Sequence, residues 1–189
     1  MKNISLSSYS EYVGIGESAY IDNDTVQALI MHSDLFTRFL EGPMLDRANK
    51  EEAVINLLRE STRNLVFSLA YTYKAMGILD DCPYFLEKKI YCNSTMKYEC
   101  ITVVHSINNA CALLRKSEIN KELIKNNLNL CIFSLIGMCS LMGISLWDTI
   151  KFPYFSYKAG NHVPLGSLVI NNGNLVKLPE NYYQTTKND

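Results

Sequence analysis

The stretch Asn126–Ile144, NNLNLCIFSLIGMCSLMGI, decides how the rest of the chain is read. It is apolar almost all the way round, and no charged residue occurs between Asn126 and Trp147. A run of that length could cross a bilayer. Three Asn, three Ser and two Gly interrupt it, however, and Gly143 followed by Ser145 reads as a helix stop. An echo upstream points the same way. ESTRNLVFSLAYTYKAMGI (Glu60–Ile78) aligns with it without gaps, sharing Phe-Ser-Leu and Met-Gly-Ile at the same offsets. That first copy carries Arg63 and Lys74. An element that tolerates charge in one copy belongs in a protein bundle, so the uncharged copy is expected to be its central helix.

A second echo pairs Ile30–Ser33 (IMHS) with Val103–Ser106 (VVHS), with an indel between the two matched segments. Each unit then reads as one helix, a turn, and a longer helix ending at glycine. Capping chemistry sets the expected boundaries. Asp24 caps a helix that Gly42-Pro43 ends, and Asn49 with Glu52 opens one from Lys50 to Met76. A third helix covers Tyr98 to Lys116. Gly77 and Gly143 suit the left-handed residue after a helix. Ser145 with Asp148 starts a short helix that Pro153 stops. The expected fold is all-α: an antiparallel bundle of four main helices from two helix–turn–helix repeats, with a short fifth helix. Residues 1–22 form an N-terminal extension and 23–163 the bundle. In 164–189, Asn172-Gly173 marks a type I′ hairpin that pairs Val169 with Val176 and Ile170 with Leu175. Such a ribbon is marginal alone and is expected to dock on the bundle or on a second subunit.

The 189 residues suffice for one domain with a core, and 48% hydrophobic with 20% charged residues is an ordinary folded composition. Eighteen Lys and Arg against nineteen Asp and Glu leave no global field to attract nucleic acid or an anionic membrane. Six cysteines form no CxxC pair, and the N-terminus lacks the apolar stretch of a signal peptide, which favours a reducing, cytoplasmic setting. The wealth of Asn, Ile, Lys and Tyr fits an AT-rich source such as a phage. His32, His105 and His162 are far apart in sequence and no serine sits in a nucleophile elbow. His32 and His105 read as core histidines within apolar helices. Val13–Ser18 (VGIGES) has two glycines and no preceding strand, so it is a loop and not a dinucleotide fingerprint.

The layout of helix, turn and long helix, with LMGISLWDTI as stop and short helix, resembles the all-α nucleoside-triphosphate pyrophosphohydrolases, the MazG and dimeric dUTPase families. PYFSYKAGNH is similar to the phosphate-proximal segment of that superfamily, with Tyr154, Lys158 and Asn161 as matching types. The resemblance spans roughly Asp24 to His162. It implies a homodimer and a magnesium site built from EExxE and ExxD helices, because a hard cation on a triphosphate needs several carboxylate oxygens. This chain departs from that pattern. The ExxD position reads NNLN, with Asn126 and Asn129, and the EExxE position keeps only Glu99. In the first unit ExxD becomes ESTR, with Glu60 and Arg63, and the partner helix reads VQALI.

Two readings of the asparagines stay open. They are the uncharged remnant of a metal site, able to hydrogen-bond a base or sugar, or they cap and solvate a helix start. On the first reading the nucleotide-binding set is Asn126, Asn129, Arg63, Lys158, Asn161 and Tyr154. No metal and no resident cofactor are then expected. If metal does bind, Glu99 and Glu60 are the first ligands, with Glu118 or Glu122 supplying the rest. The expected function is to bind a nucleotide or a protein partner without catalysis. One alternative is a Mg²⁺-dependent (d)NTP pyrophosphohydrolase, in which Glu51, Glu52, Glu60 and Glu99 converge. The other is an interaction module docking through the C-terminal hairpin.

Overall fold

The computed structural model describes residues 3–40 and 52–151, together with the backbone of Leu168–Asn171 and Asn174–Lys177; side chains at 38–40 and 52–57 lie outside that description. The protein is predominantly helical. Among the described residues there are six α-helices: α1 (Leu6–Val13), α2 (Asn23–Leu40), α3 (Glu52–Met76), α4 (Met96–Leu114), α5 (Lys121–Leu141) and α6 (Leu146–Ile150). A 3₁₀ turn, Leu79–Asp81, follows α3. Strands β1 (Leu168–Asn171) and β2 (Asn174–Lys177) pair antiparallel, Val169 opposite Val176 and Ile170 opposite Leu175.

Helices α4 and α5 form a tight antiparallel pair. Helix α2 packs on both α3 and α4, and α1 and α6 pack against α3. One core runs through all of them, from Leu6, Leu29 and Phe36 to Leu65, Leu69 and Tyr73, then Ile107, Leu128 and Leu135. The N-terminal segment that reads as an extension supplies Leu6, Tyr9 and Val13 to that core. Its helix is closed by a capping box, in which Ser5 and Ser8 each accept the other's backbone N–H. An irregular strap after the 3₁₀ turn ties the ends together. Leu86 N donates to Ile4 O at 2.7 Å, and Trp147 N donates to Leu86 O at 2.7 Å.

The two long helices stop alike. Gly77 (φ 67°) and Gly143 (φ 77°) take the left-handed conformation that favours glycine. In each case the following isoleucine N–H reaches back, Ile78 to Tyr73 O and Ile144 to Cys139 O, both at 3.0 Å. Ser145 caps α6 by accepting from Asp148 N at 3.0 Å, as its spacing predicts. Other starts differ from the sequence expectation. Asp22, not Asp24, caps α2: its Oδ1 accepts from Thr25 N at 2.8 Å while Asp22 N donates to Thr25 Oγ1 at 3.3 Å. Thr95 caps α4, which starts at Met96, two residues before the expected start, and accepts from Tyr98 N at 3.2 Å. The proposed caps Asn49, Gly42-Pro43 and Pro153 lie outside the described residues.

The largest correction concerns α5. It begins at Lys121, with Asn120 accepting from Leu123 N at 3.1 Å, so Lys121, Glu122 and Lys125 precede the asparagines on the same helix. An Asn cap with an acid in the first turn is a better start than three interior amides. Asn126 and its neighbours therefore sit in the helix body. Helix α5 is long and apolar enough to cross a bilayer, yet more than half of its most apolar window is buried inside the bundle.

Candidate functional site

The expected site residues fall into separate places. Asn126 is exposed on α5. The Asn127 amide donates to Leu123 O at 2.8 Å, a bond within the helix. Asn129 Oδ1 accepts from the Tyr73 hydroxyl at 2.6 Å, and its Nδ2 donates to Asp81 O at 3.4 Å. Tyr73 is fully buried, and burial drives its hydroxyl well above the ordinary phenol range. A neutral phenol donor matched to an amide acceptor stitches α5 to the end of α3. Asn129 thus has a structural task that its sequence position does not announce.

The carboxylates do not converge. Glu99, 6% exposed, lies against Gly137, where an added Cβ would meet its Cδ at 3.3 Å. Cys92 Sγ donates to Glu99 Oε1 at 3.5 Å. Burial raises the Cys92 thiol, and the neighbouring Glu99 adds to the rise. Gly137 is three turns along α5 from Asn126, about 16 Å at 1.5 Å per residue. Glu99 is therefore held away from both Asn126 and Asn129.

Glu60 sits beside Arg63 on α3. Burial raises the Glu60 carboxyl and Arg63 opposes it; burial likewise lowers Arg63 and Glu60 opposes that. Arg63 Nε donates to Thr149 O at 2.8 Å, completing the end of α6. Glu122 pairs with Lys125 at 2.6 Å, and Glu118 lines an open recess of about 470 Å³ at the α4–α5 turn with Lys116, Asn120 and Leu123. Among the described residues no group of three or more His, Cys, Asp and Glu stands close enough to hold a metal ion. Glu51, Tyr154, Lys158, Asn161 and His162 lie outside the described residues, as does the side chain of Glu52.

Three features escaped the sequence reading. Arg59, one turn before Arg63, buries an Nε that has no hydrogen-bond partner; the i, i+4 spacing was the available signal. His32 and Ser68 form a buried pair, Nδ1···Oγ 2.6 Å, between α2 and α3. Its counterpart His105 is exposed rather than in the core. Beside the pair, both amide atoms of the buried Asn64 are unpartnered. Finally, α5 leaves Leu123, Leu130 and Phe133 exposed. No family model, curated protein or solved structure matches this chain.

Proposed function

We propose that the chain is a binding protein on a MazG- and dUTPase-like tandem helical plan, which takes a protein partner on the outer face of α5 and performs no hydrolysis. The observation that carries this reading is the chemistry of that face. Solvent-facing helix positions are ordinarily Lys, Glu or Arg. Here the exposed positions from Asn126 onward are Asn126, Leu130 and Phe133. Depletion of charge beside large apolar side chains is the composition of an interface core. The absence of catalysis is supported by the separation of Glu99 from the asparagines and by the engagement of Glu60 with Arg63.

The test combines two readouts on the purified chain. Bis-ANS binds and its fluorescence falls in Leu130→Lys, while (d)NTPs with Mg²⁺ release no pyrophosphate. Dye binding indifferent to Leu130→Lys overturns the docking face, and pyrophosphate release lost in Glu99→Gln establishes the enzyme instead.

A second reading rests on Arg59. Its guanidinium lies beside that of Arg63 on one α3 face, a pair of cations suited to a phosphate even though Arg63 Nε is already given to Thr149 O. A nucleotide at a hundredfold over its Kd would add about 2.7 kcal/mol of stability. A thermal-shift screen with and without Mg²⁺, repeated on Arg59→Gln, decides it: no shift, or a shift unchanged by the substitution, removes this reading.

A further inference from the structure

The balanced net charge of the chain hides an uneven distribution. Between Glu87 and Glu118 lie Lys88, Lys89, Lys97, Arg115 and Lys116, with Glu99 as the only acid. Glu99 is turned inward against Gly137, while all five cations are exposed. Lys89 Nζ donates to Gly143 O and Lys88 Nζ lies 4.7 Å from the Phe85 ring centroid, contacts that place both ammonium groups without neutralising either. Glu87 is half-buried and accepts from Ile4 N at 2.9 Å. The neighbouring α2 exposes Asp24 and Asp34. Its start lies by the C-terminal end of α4, where Cys111 Sγ is 3.9 Å from Val26 O, so Asp24 and Glu118 belong to that end. Towards the strap, Lys88, Lys89 and Lys97 then face Asp34 as the one exposed acid of α2. Rings in water are interleaved with these cations. Tyr91 is 94% exposed and Tyr98 62%. Tyr91 belongs to the strap, which crosses the end of α5, Ile90 N donating to Ser140 Oγ at 3.0 Å, and leads into the Thr95 cap of α4. On α4, Lys97, Tyr98, Ile101, His105, Asn108 and Arg115 share one exposed side at about 3.6 residues per turn.

We infer that this surface of strap and α4 binds single-stranded nucleic acid. Lysines neutralise backbone phosphates, and an exposed ring stacks on an unpaired base; together they hold a single strand without reading its sequence. At 94 and 62% exposure Tyr91 and Tyr98 give little to the core, so their rings are open to a base. A duplex hides the faces of its bases and leaves such a ring nothing to stack on. An anionic bilayer would attract the same lysines, but seating in it calls for Trp, Phe or Leu on the opposing side. Here the exposed side chains among the cations are Tyr, Asn and His, with Ile101 as the one large aliphatic. No residue of the α5 docking face takes part.

The test is the fluorescence anisotropy of labelled oligo-dT and oligo-U titrated with the full chain across a salt series. Each phosphate neutralised on a single strand contributes about −0.7 to the slope of log K against log salt, so five cations set a limit of about −3.5. Replacing Lys88 and Lys89 together by Gln weakens binding and makes the slope shallower by about 1.4. Tyr91→Ala weakens binding about tenfold and leaves the slope unchanged, while Tyr91→Phe binds like wild type, because the ring and not the hydroxyl stacks. All three positions are exposed, and circular dichroism checks that the variants keep the fold. Absence of binding overturns the inference, and so does salt-dependent binding that is indifferent to Tyr91→Ala. A duplex bound as tightly as the single strand overturns it as well. Co-sedimentation with phosphatidylserine vesicles by a chain that binds neither oligonucleotide overturns it in favour of a membrane surface.

Discussion

His32 makes the fold sensitive to mild acid, and the size of the effect can be worked out. Its ring is 4% exposed, and burial lowers its pKa from 6.5 to about 4, opposed by a hydrogen bond from the ring to the main chain of Asn64. Between those values the unfolded chain binds a proton that the folded chain refuses. Stability from this group is therefore full above pH 6.5 and is lost as pH falls towards 4. Relative to pH 7 the loss is about 2 kcal/mol at pH 5 and about 3 kcal/mol at pH 4, from the two proton affinities alone. With a urea dependence of about 2 kcal/mol per molar, the unfolding midpoint drops by about 1 M at pH 5. Carboxylates titrate over the same range, so the measurement is a difference. Urea melts of wild type and His32→Asn are compared at each pH; the Asn amide retains a partner for Ser68 and does not titrate. The gap between the two midpoints must narrow by about 1 M from pH 7 to pH 5. Parallel curves would show that His32 is protonated in the folded protein and that its burial is not what the pair with Ser68 implies.

Other consequences are smaller and independent. Gly77→Ala and Gly143→Ala each place a Cβ in a left-handed conformation and should cost about 1–2 kcal/mol in chemical melts, despite having open space around them; neutral substitutions would remove the stop geometry. Tyr73→Phe should cost about 1–3 kcal/mol by orphaning the Asn129 amide, and a double-mutant cycle with Asn129→Leu should show coupling of at least about 0.5 kcal/mol. Additive losses would release Asn129 from its structural role. Cys92 should react with a disulfide reagent more slowly than free cysteine at pH 8, and faster in Glu99→Gln. Equal rates in the two proteins would detach the thiol from the carboxylate.

Helices with strong ends were legible from the residues alone. Met76-Gly77-Ile78 and Met142-Gly143-Ile144 marked two stops correctly because glycine followed by an apolar residue is a complete local instruction. Starts were harder. Asp22 and Asp24 both offer a carboxylate, and the choice is made by Thr25, whose hydroxyl bonds Asp22 and not Asp24. The start of α5 was misplaced because RKSEINKELIK looks like solvated loop, whereas Asn120 sits in it as a sufficient cap. Helix α1 was missed altogether: eight residues carry too few apolar positions to show a period, and their burial depends on α3. The candidate site was the least legible part. Matching by offset put Glu99 with Asn126, yet antiparallel packing of α4 and α5 sends them to different depths. Exposure of Leu123, Leu130 and Phe133 is likewise invisible in sequence, since it depends on which side α3 and α4 take.

The two ends of α5 are secured unequally. At its C-terminus the chain turns through Gly143, Ile144 packs against the core, and Lys89 Nζ donates to Gly143 O. At its N-terminus Asn120 accepts from Leu123 N and Lys121 Nζ donates to Met76 O at 3.1 Å, while three of the first four residues stay exposed. Thermal opening of this helix must therefore begin at Lys121 and travel towards Asn126, with amide hydrogens exchanging in that order. The segment that opens first includes Leu123, at the start of the exposed apolar face of α5, so covering that face would slow exchange most where the uncovered chain is loosest.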